Sequence, residues 1–284
     1  MEVAKTIESV RSLVKAARRE AKKIGLVPTM GALHIGHISL IETAVKECDF
    51  VVVSIFVNPT QFGPTEDFEK YPRPLEADLE ICKKAGIDIV FAPATEQMYP
   101  RENFTSVNVE KLTEQLCGRS RPGHFRGVAT ICAKLFNIVQ PDIAYFGQKD
   151  SQQAIVIKKM VADLNMPLRI AICPTVREPD GLAVSSRNQY LTKEQKKEAT
   201  YIYKSLQKAQ EMIDAGITDC ETIIRQMYSI LNQAPSIKIE YVSVVDAETV
   251  QNIDQIAGKV LVAVAARIGL ARLIDNILVD ASKQ

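Results

Sequence analysis

The sequence has no tryptophan, only three histidines and no excess of either charge. Lys and Arg total 35 and Asp and Glu total 34 over 284 residues, a formal net charge of +1. Without a basic excess, general binding of nucleic acid or of an anionic membrane is not expected. No stretch of eighteen apolar residues occurs, which argues against a helical membrane span. The opening MEVAKTIESVRSLVKAARREAKK is amphipathic and has no unbroken apolar core, so a secretory signal is not expected either. The six cysteines, Cys48, Cys82, Cys117, Cys132, Cys173 and Cys220, are scattered without a C-x-x-C pair. They read as reduced core residues of a cytoplasmic protein, not as a zinc cage or a disulfide framework. Three common signatures are also missing. There is no G-x-x-x-x-G-K-[ST], no G-x-G-x-x-G after the first strand and no G-x-S-x-G. A P-loop kinase, a dinucleotide dehydrogenase and a serine hydrolase of the nucleophile-elbow kind are therefore disfavoured.

What is present is ordinary globular composition, 46% apolar and 24% charged, in a chain long enough for two domains. Residues 6–23 carry apolar positions at helical spacing, with basic residues at the end where the helix dipole favours them. A short apolar run, 24–28, reads as a buried strand, and 36–46 returns to helical period. DFVVVSIFV over 49–57 is a continuous β-branched and aromatic run, as expected of a strand buried on both faces. A helix over 74–85 and a strand over 87–91 follow. After an irregular stretch, 93–127, the alternation resumes with a helix over 128–139, a strand over 143–146, a helix over 150–164 and a strand over 168–173. This order predicts an α/β fold, a Rossmann-like doubly wound parallel sheet. Two charged helices, 193–214 and 219–232, then precede three strands, 238–245, 259–268 and 272–279. That predicts a smaller C-terminal α+β domain, with 1–176 as the first domain and 177–284 as the second.

Four segments carry candidate chemistry. Pro28-Thr29-Met30-Gly31-Ala32-Leu33-His34-Ile35-Gly36-His37 lies between a strand and the helix after it. Ligands bind there in open parallel sheets, and helix N-termini favour phosphate. Two histidines three apart share a helix face and can donate to phosphate oxygens, while Gly36 leaves room for a flat ring or a ribose. The bland alternative is a helix start with two surface histidines. Phe56-Val57-Asn58-Pro59-Thr60-Gln61-Phe62-Gly63 follows the strongest strand. Gln61 suits a ligand bearing hydroxyl and carboxylate, although an Asn-Pro turn with an exposed glutamine reads equally well. In Phe146-Gly147-Gln148-Lys149-Asp150-Ser151-Gln152-Gln153, Gly147 permits close backbone approach and Lys149 offers a point charge. Asp150 can accept from a ribose hydroxyl or cap the helix. Last, Pro174-Thr175-Val176-Arg177-Glu178-Pro179-Asp180-Gly181-Leu182-Ala183-Val184-Ser185-Ser186-Arg187-Asn188 holds a Pro-Asp-Gly turn and then two hydroxyls beside a guanidinium, a match to phosphate oxygens or else a solvated linker. A basic knot, Arg119, Arg121, His124 and Arg126, sits in the irregular stretch. Asp78 is a candidate metal partner, although most helical aspartates are merely solvated.

Phosphate chemistry without a covalent nucleophile is what these segments leave, and adenylyl transfer fits it. The H-x-G-H over His34–His37 resembles the signature of the nucleotidyltransferase superfamily. PTMGALHIGH, SIFVNPTQF, YFGQKDSQQ and PTVREPDGLAVSSRNQYL together closely resemble the motifs of the pantoate–β-alanine ligase (pantothenate synthetase) family, in that family's order. The resemblance implies ATP-dependent condensation of (R)-pantoate with β-alanine, through a pantoyl adenylate, to pantothenate, AMP and diphosphate, with Mg²⁺ on ATP. It implies ATP binding by Met30, Gly31, Ala32, Leu33, His34, Ile35, Gly36, His37, Gly147, Gln148, Lys149, Asp150, Val176, Val184, Ser185, Ser186 and Arg187. Catalysis falls to His37, His34, Lys149 and Arg187. Pantoate falls to Gln61 and Gln153, and Gln61 is shared with β-alanine. Where this chain has Val184 the family often has methionine. A homodimer and a C-terminal domain closing over the site are implied too, and no protein ligand of the metal is assigned. The rival readings are another small-molecule nucleotidyltransferase of the same fold and a catalytically silent nucleotide-binding protein.

Overall fold

Six parallel strands form the first sheet in the order β1-β4-β3-β2-β5-β6. The strands are β1 (Glu2–Ala4), β2 (Ile24–Thr29), β3 (Phe50–Ile55), β4 (Ile89–Phe91), β5 (Ile143–Gly147) and β6 (Arg169–Cys173). The computed structural model describes residues 1–64 and 66–283. The helices among these strands are α1 (Ile7–Arg19), α2 (Ile35–Glu47), α3 (Leu75–Lys84), α4 (Thr95–Met98), α5 (Leu116–Ser120), α6 (His124–Val139) and α7 (Ser151–Asp163). α1 starts where Thr6 accepts from the Ser9 N–H, and it ends on Arg18 and Arg19, whose charges complement the helix dipole. Leu26, Val27, Val52 and Val53 are fully buried, as a parallel sheet covered on both faces requires.

The strand order reverses direction between β2 and β5. β2 pairs with β3 on one side and with β5 on the other. This is the switch point where open α/β sheets leave a crevice beyond the carboxyl ends of the strands. The segment that leaves β2 there runs over 30–37 and opens α2.

The second sheet is an antiparallel meander, β7 (Ile237–Asp246), β8 (Lys259–Ile268) and β9 (Ala271–Asp280). With helices α8 (Lys193–Asp214) and α9 (Cys220–Leu231) it encloses a core of Ile202, Leu206, Ile223, Met227, Val262 and Val264. Thr192 and Gln195 form a reciprocal capping box at the start of α8.

The chain divides into two compact units, but not at one cut. The first comprises Met1–Glu110, Ser120–Gly147 and Gln153–Pro174. The second comprises Lys111–Arg119, Gln148–Gln152 and Thr175–Gln284. Hydrogen bonds explain why the two short stretches group with the C-terminal residues. Gln152 donates to the carbonyls of Leu112 and Gln115 and accepts from the Cys117 N–H, and Asn276 binds the backbone of Gln148 and Lys149.

All six cysteines are free, and all but Cys48 are buried. Burial pushes the Cys82 and Cys132 thiols up to about 12, so they stay protonated and unreactive at neutral pH. Among the described residues no helix is long and apolar enough to cross a membrane.

Candidate active site

The turn after β2 is built on two consecutive left-handed residues, Gly31 (φ +78°) and Ala32 (φ +50°). Such a turn exposes its N–H groups, and a buried carboxylate collects them. Asp78 of α3, 2% exposed, accepts from the Ala32 N–H at 2.9 Å and the Leu33 N–H at 2.7 Å. A Cβ at position 31 would come within 2.9 Å of the Asp78 Oδ2 atom, so both the left-handed φ and the close approach require glycine. Burial raises the Asp78 carboxyl above the ordinary carboxylate range, and the two N–H donors oppose that rise.

His34 is the N-cap of α2, and its ring folds over the helix start. Its Nδ1 accepts from the Gly36 N–H at 3.2 Å, while the Nδ1 of His37 accepts from the His34 N–H at 3.3 Å. The two rings lie with centroids 4.1 Å apart. With both Nδ1 atoms accepting, the proton of each neutral ring sits on Nε2. In that tautomer each ring donates through Nε2, while the Gly36 N–H is engaged by the His34 ring. Gly36 is small for a related reason: a Cβ there would lie 3.0 Å from two atoms of the His34 ring.

Gln61 ends a 3-10 turn, Pro59–Gln61, just beyond β3, and it is buried, not exposed as an Asn-Pro turn alone would leave it. Its Oε1 accepts from Asn58 at 3.0 Å, and its Nε2 lies 3.0 Å from the Met30 sulfur. Asn58 in turn accepts from Tyr99 and Thr60 and donates to the Gly127 carbonyl. The Gln61 carbonyl is bound by the His124 Nδ1 at 2.8 Å and the Arg121 guanidinium at 3.4 Å. Arg121 also grips Glu66 through two 2.6 Å contacts. Burial pushes the Glu66 carboxyl up, but the Arg121 hydrogen bonds and charge and the Gly63 N–H more than offset it, leaving it below its usual range. In the first unit, then, Met30–His37 and Gln61 come together, and two members of the basic knot brace the Gln61 turn. Gln153 stands half-buried in the first turn of α7.

The second unit gathers the other candidates. Arg177 and Ala183 pair as an antiparallel bridge, closed by a turn at Gly181 (φ +93°). The Val184 N–H donates to the Val176 carbonyl at 3.0 Å, so these two valines face each other at the open end of the hairpin. Ser185 then caps the 3-10 turn Ser186–Tyr190 by accepting from the Arg187 N–H. Lys149, Ala183, Ser185 and Asp275 line one small cleft. Asp150 is exposed at the end of the Gln148–Asp150 turn.

The sequence model of the Pantoate-beta-alanine ligase family matches residues 2–278. The pantothenate synthetase of Thermoanaerobacter pseudethanolicus is 55% identical over 278 residues, covering 98% of each chain. That of Acetivibrio thermocellus is 54% identical over 280 residues, covering 99% of this chain and all of its own. The chain belongs to the pantoate–β-alanine ligase family. Solved structures agree. The Thermus thermophilus pantothenate synthetase superposes with a TM-score of 0.93 at 44% identity, covering 98% of this chain and 99% of its own. A Francisella tularensis pantoate–β-alanine ligase, complexed with beta-gamma ATP and beta-alanine, superposes with a TM-score of 0.81 at 37% identity, covering 98% of this chain and 97% of its own.

Family membership gives the fold its reading as the α/β sheet of a pantoate–β-alanine ligase with a smaller antiparallel-sheet unit, and the chain its reading as an enzyme. Sequence reasoning missed the residues that brace the ligase motifs. Asn58, Glu66, Tyr99 and Gly127 around Gln61, and Asp275 and Asn276 on β9, are given no role by the motifs. The only signal that points toward one brace is the acidic residue in the first turn of α3, Asp78. Each of its oxygens accepts from a backbone N–H, so in the structure it braces the turn after β2.

Proposed function

We propose that this chain condenses (R)-pantoate with β-alanine in two steps. A pantoate carboxylate oxygen attacks the α-phosphorus of ATP, the bond to the bridging oxygen breaks, and diphosphate leaves. The β-alanine amine then attacks the acyl carbon of the pantoyl adenylate, AMP leaves, and the nitrogen gives up a proton as the amide forms. The observation that carries this reading is the capped histidine pair. His34 and His37 hold two Nε2–H donors side by side, in the turn whose Met30 touches Gln61. Charge developing on the α-phosphate and the leaving diphosphate needs such fixed donors. We assign ATP to Met30–His37, Gly147–Asp150, Val176 and Val184–Arg187, and pantoate to Gln61 and Gln153, with Gln61 also meeting β-alanine. His34, His37, Lys149 and Arg187 stabilise charge in the transition state. The complex of the Francisella tularensis relative with beta-gamma ATP and beta-alanine supports the same substrates here.

Among the described residues no three His, Cys, Asp or Glu side chains gather into a group that could hold a metal. Mg²⁺ would arrive with ATP, where it would neutralise charge on the phosphates beside Lys149 and Arg187. The wider reading is a cytoplasmic homodimer whose 180–190 segment becomes protected from protease when ATP and pantoate bind. Sedimentation at monomer mass, or unchanged cleavage, would remove those two parts.

The deciding experiment is ATP–diphosphate exchange without β-alanine. Exchange that depends on pantoate is expected, as is AMP release that needs both acids. No exchange at any Mg²⁺ concentration overturns the adenylate mechanism.

A further inference from the structure

Lys149 is one of the phosphate-handling residues assigned above, and nothing in its own segment fixes it. The Gln148–Asp150 turn is three residues long, and a lysine side chain is long and rich in rotamers. The anchor comes from 127 residues away, on β9. Asn276, 4% exposed, donates through Nδ2 to the carbonyls of Gln148 at 3.0 Å and Lys149 at 2.9 Å. Its Oδ1 accepts from the Gln148 side chain at 2.8 Å. Both N–H groups and the oxygen of one buried amide are thus spent on two consecutive residues. A buried amide satisfied in three directions has one orientation, so it transmits the rigidity of β9 to the turn.

Its neighbour Asp275 does the same for the hairpin that leads into Val184–Arg187. Asp275, also 4% exposed, takes both terminal nitrogens of Arg177, at 2.5 and 3.0 Å. Arg177 stacks on the Tyr203 ring with its guanidinium carbon 3.8 Å from the centroid, and it donates to the Gly181 carbonyl at 3.1 Å. The Asp275 Oδ1 further accepts from the Asn276 N–H at 2.8 Å. Two adjacent residues of one strand therefore hold both the segment carrying Lys149 and the hairpin carrying Ser185, which line the same cleft. Burial pushes the Asp275 carboxyl up, and the hydrogen bonds and charge of Arg177 oppose that rise.

We propose that Asn276 is a positioning residue for Lys149, and that Asp275 and Asn276 together set the placement of Lys149 relative to Ser185. This rests on the role of Lys149 proposed above. Loss of the anchor leaves the lysine in place but lets the backbone under it move, and displacement by about 1 Å is enough to cost on the order of 100-fold in rate.

The test is a double-mutant cycle read by pantoate-dependent ATP–diphosphate exchange, using Asn276→Ala, Lys149→Ala and the double variant. Asn276→Ala is expected to slow exchange about 100-fold. Added to Lys149→Ala it should change exchange by less than about twofold, because an anchor without its lysine has nothing to place. A full additive loss in the double variant overturns the inference while leaving the lysine's role standing. Normal exchange by Lys149→Ala instead removes the role of Lys149, and the inference with it. Should Asn276→Ala not fold, Asn276→Asp answers the same question. It keeps the shape and still accepts from Gln148, but when ionised it has nothing to donate to the two carbonyls. Its exchange should be low at about pH 8, well above the ordinary carboxylate range, and wild-type exchange there overturns the inference.

Discussion

A histidine in the H-x-G-H turn does two jobs with two nitrogens. Nδ1 of His37 accepts from the backbone of His34 and so helps cap α2, while Nε2 carries the proton the proposed chemistry uses. Alanine would remove both, and its effect on rate would mix folding with catalysis. Asparagine and glutamine separate them. The Oδ1 of asparagine stands near the position of Nδ1 and can keep the cap, and the amide of glutamine reaches the position of Nε2. His37→Asn is therefore expected to keep its unfolding midpoint and to lose about 100- to 1,000-fold in exchange rate, the usual consequence of removing one donor to developing charge. His37→Gln should recover part of that loss. Equal exchange rates in wild type and His37→Asn would take Nε2 out of the mechanism.

At the scale of elements, the strands and helices with strong periodicity were legible because their burial is two-sided or one-sided in a regular way. Phe50–Ile55 and Lys193–Asp214 are examples. β1, the short helices α4 and α5 and the start of α6 were not. β1 is three residues long and makes its bonds to β4, a partner more than eighty residues on, so no local pattern marks it. α6 begins at His124, four residues before the helix expected from sequence, because Pro122, Gly123 and Gly127 read as loop. Tertiary packing overrides that propensity. A Cβ at Gly127 would lie 2.3 Å from the Thr60 carbonyl oxygen and 2.7 Å from the Gln61 Cα, so the glycine is where the Gln61 turn rests on the helix. Gly127→Ala cannot be absorbed by a flexible side chain, since the atoms it meets are backbone. It should destabilise the chain by about 1–3 kcal/mol and raise KM for pantoate more than KM for ATP. Thermal unfolding and steady-state kinetics would check both, and a change confined to ATP would show that the turn does not serve pantoate. The candidate site was legible in the same uneven way. Its motif residues are contiguous in sequence, whereas the braces Asp78 and Asn276 act across tens of residues, and of these two only Asp78 leaves a local sign, its place in the first turn of α3.

Across the whole molecule the near-balance of charges conceals two groups of carboxylates with opposite effects on acid stability. Hydrogen bonds from Thr249 and Glu248 hold Asp246 below its usual range, and those from Thr222 do so for Asp219. Glu66 joins them through Arg121, against the upward push of burial. Such groups bind protons less tightly in the folded chain than in the unfolded one. The stability they contribute is complete above the ordinary carboxylate pKa of about 4 and is lost as pH falls through their depressed folded values. Asp78 and Asp275 do the opposite. Burial raises them, so the folded chain takes up their protons before the unfolded chain does, and this term favours the folded state as pH falls from neutral toward about 4. Two variants separate the groups. Glu66→Gln should be less stable than wild type at about pH 7, with the difference closing below about pH 4. For Asp78→Asn the advantage of wild type should instead widen as pH falls from neutral toward that range. Urea midpoints measured from about pH 3 to about pH 7 would show the two differences running in opposite directions, and parallel curves for both variants would refute this division of the carboxylates.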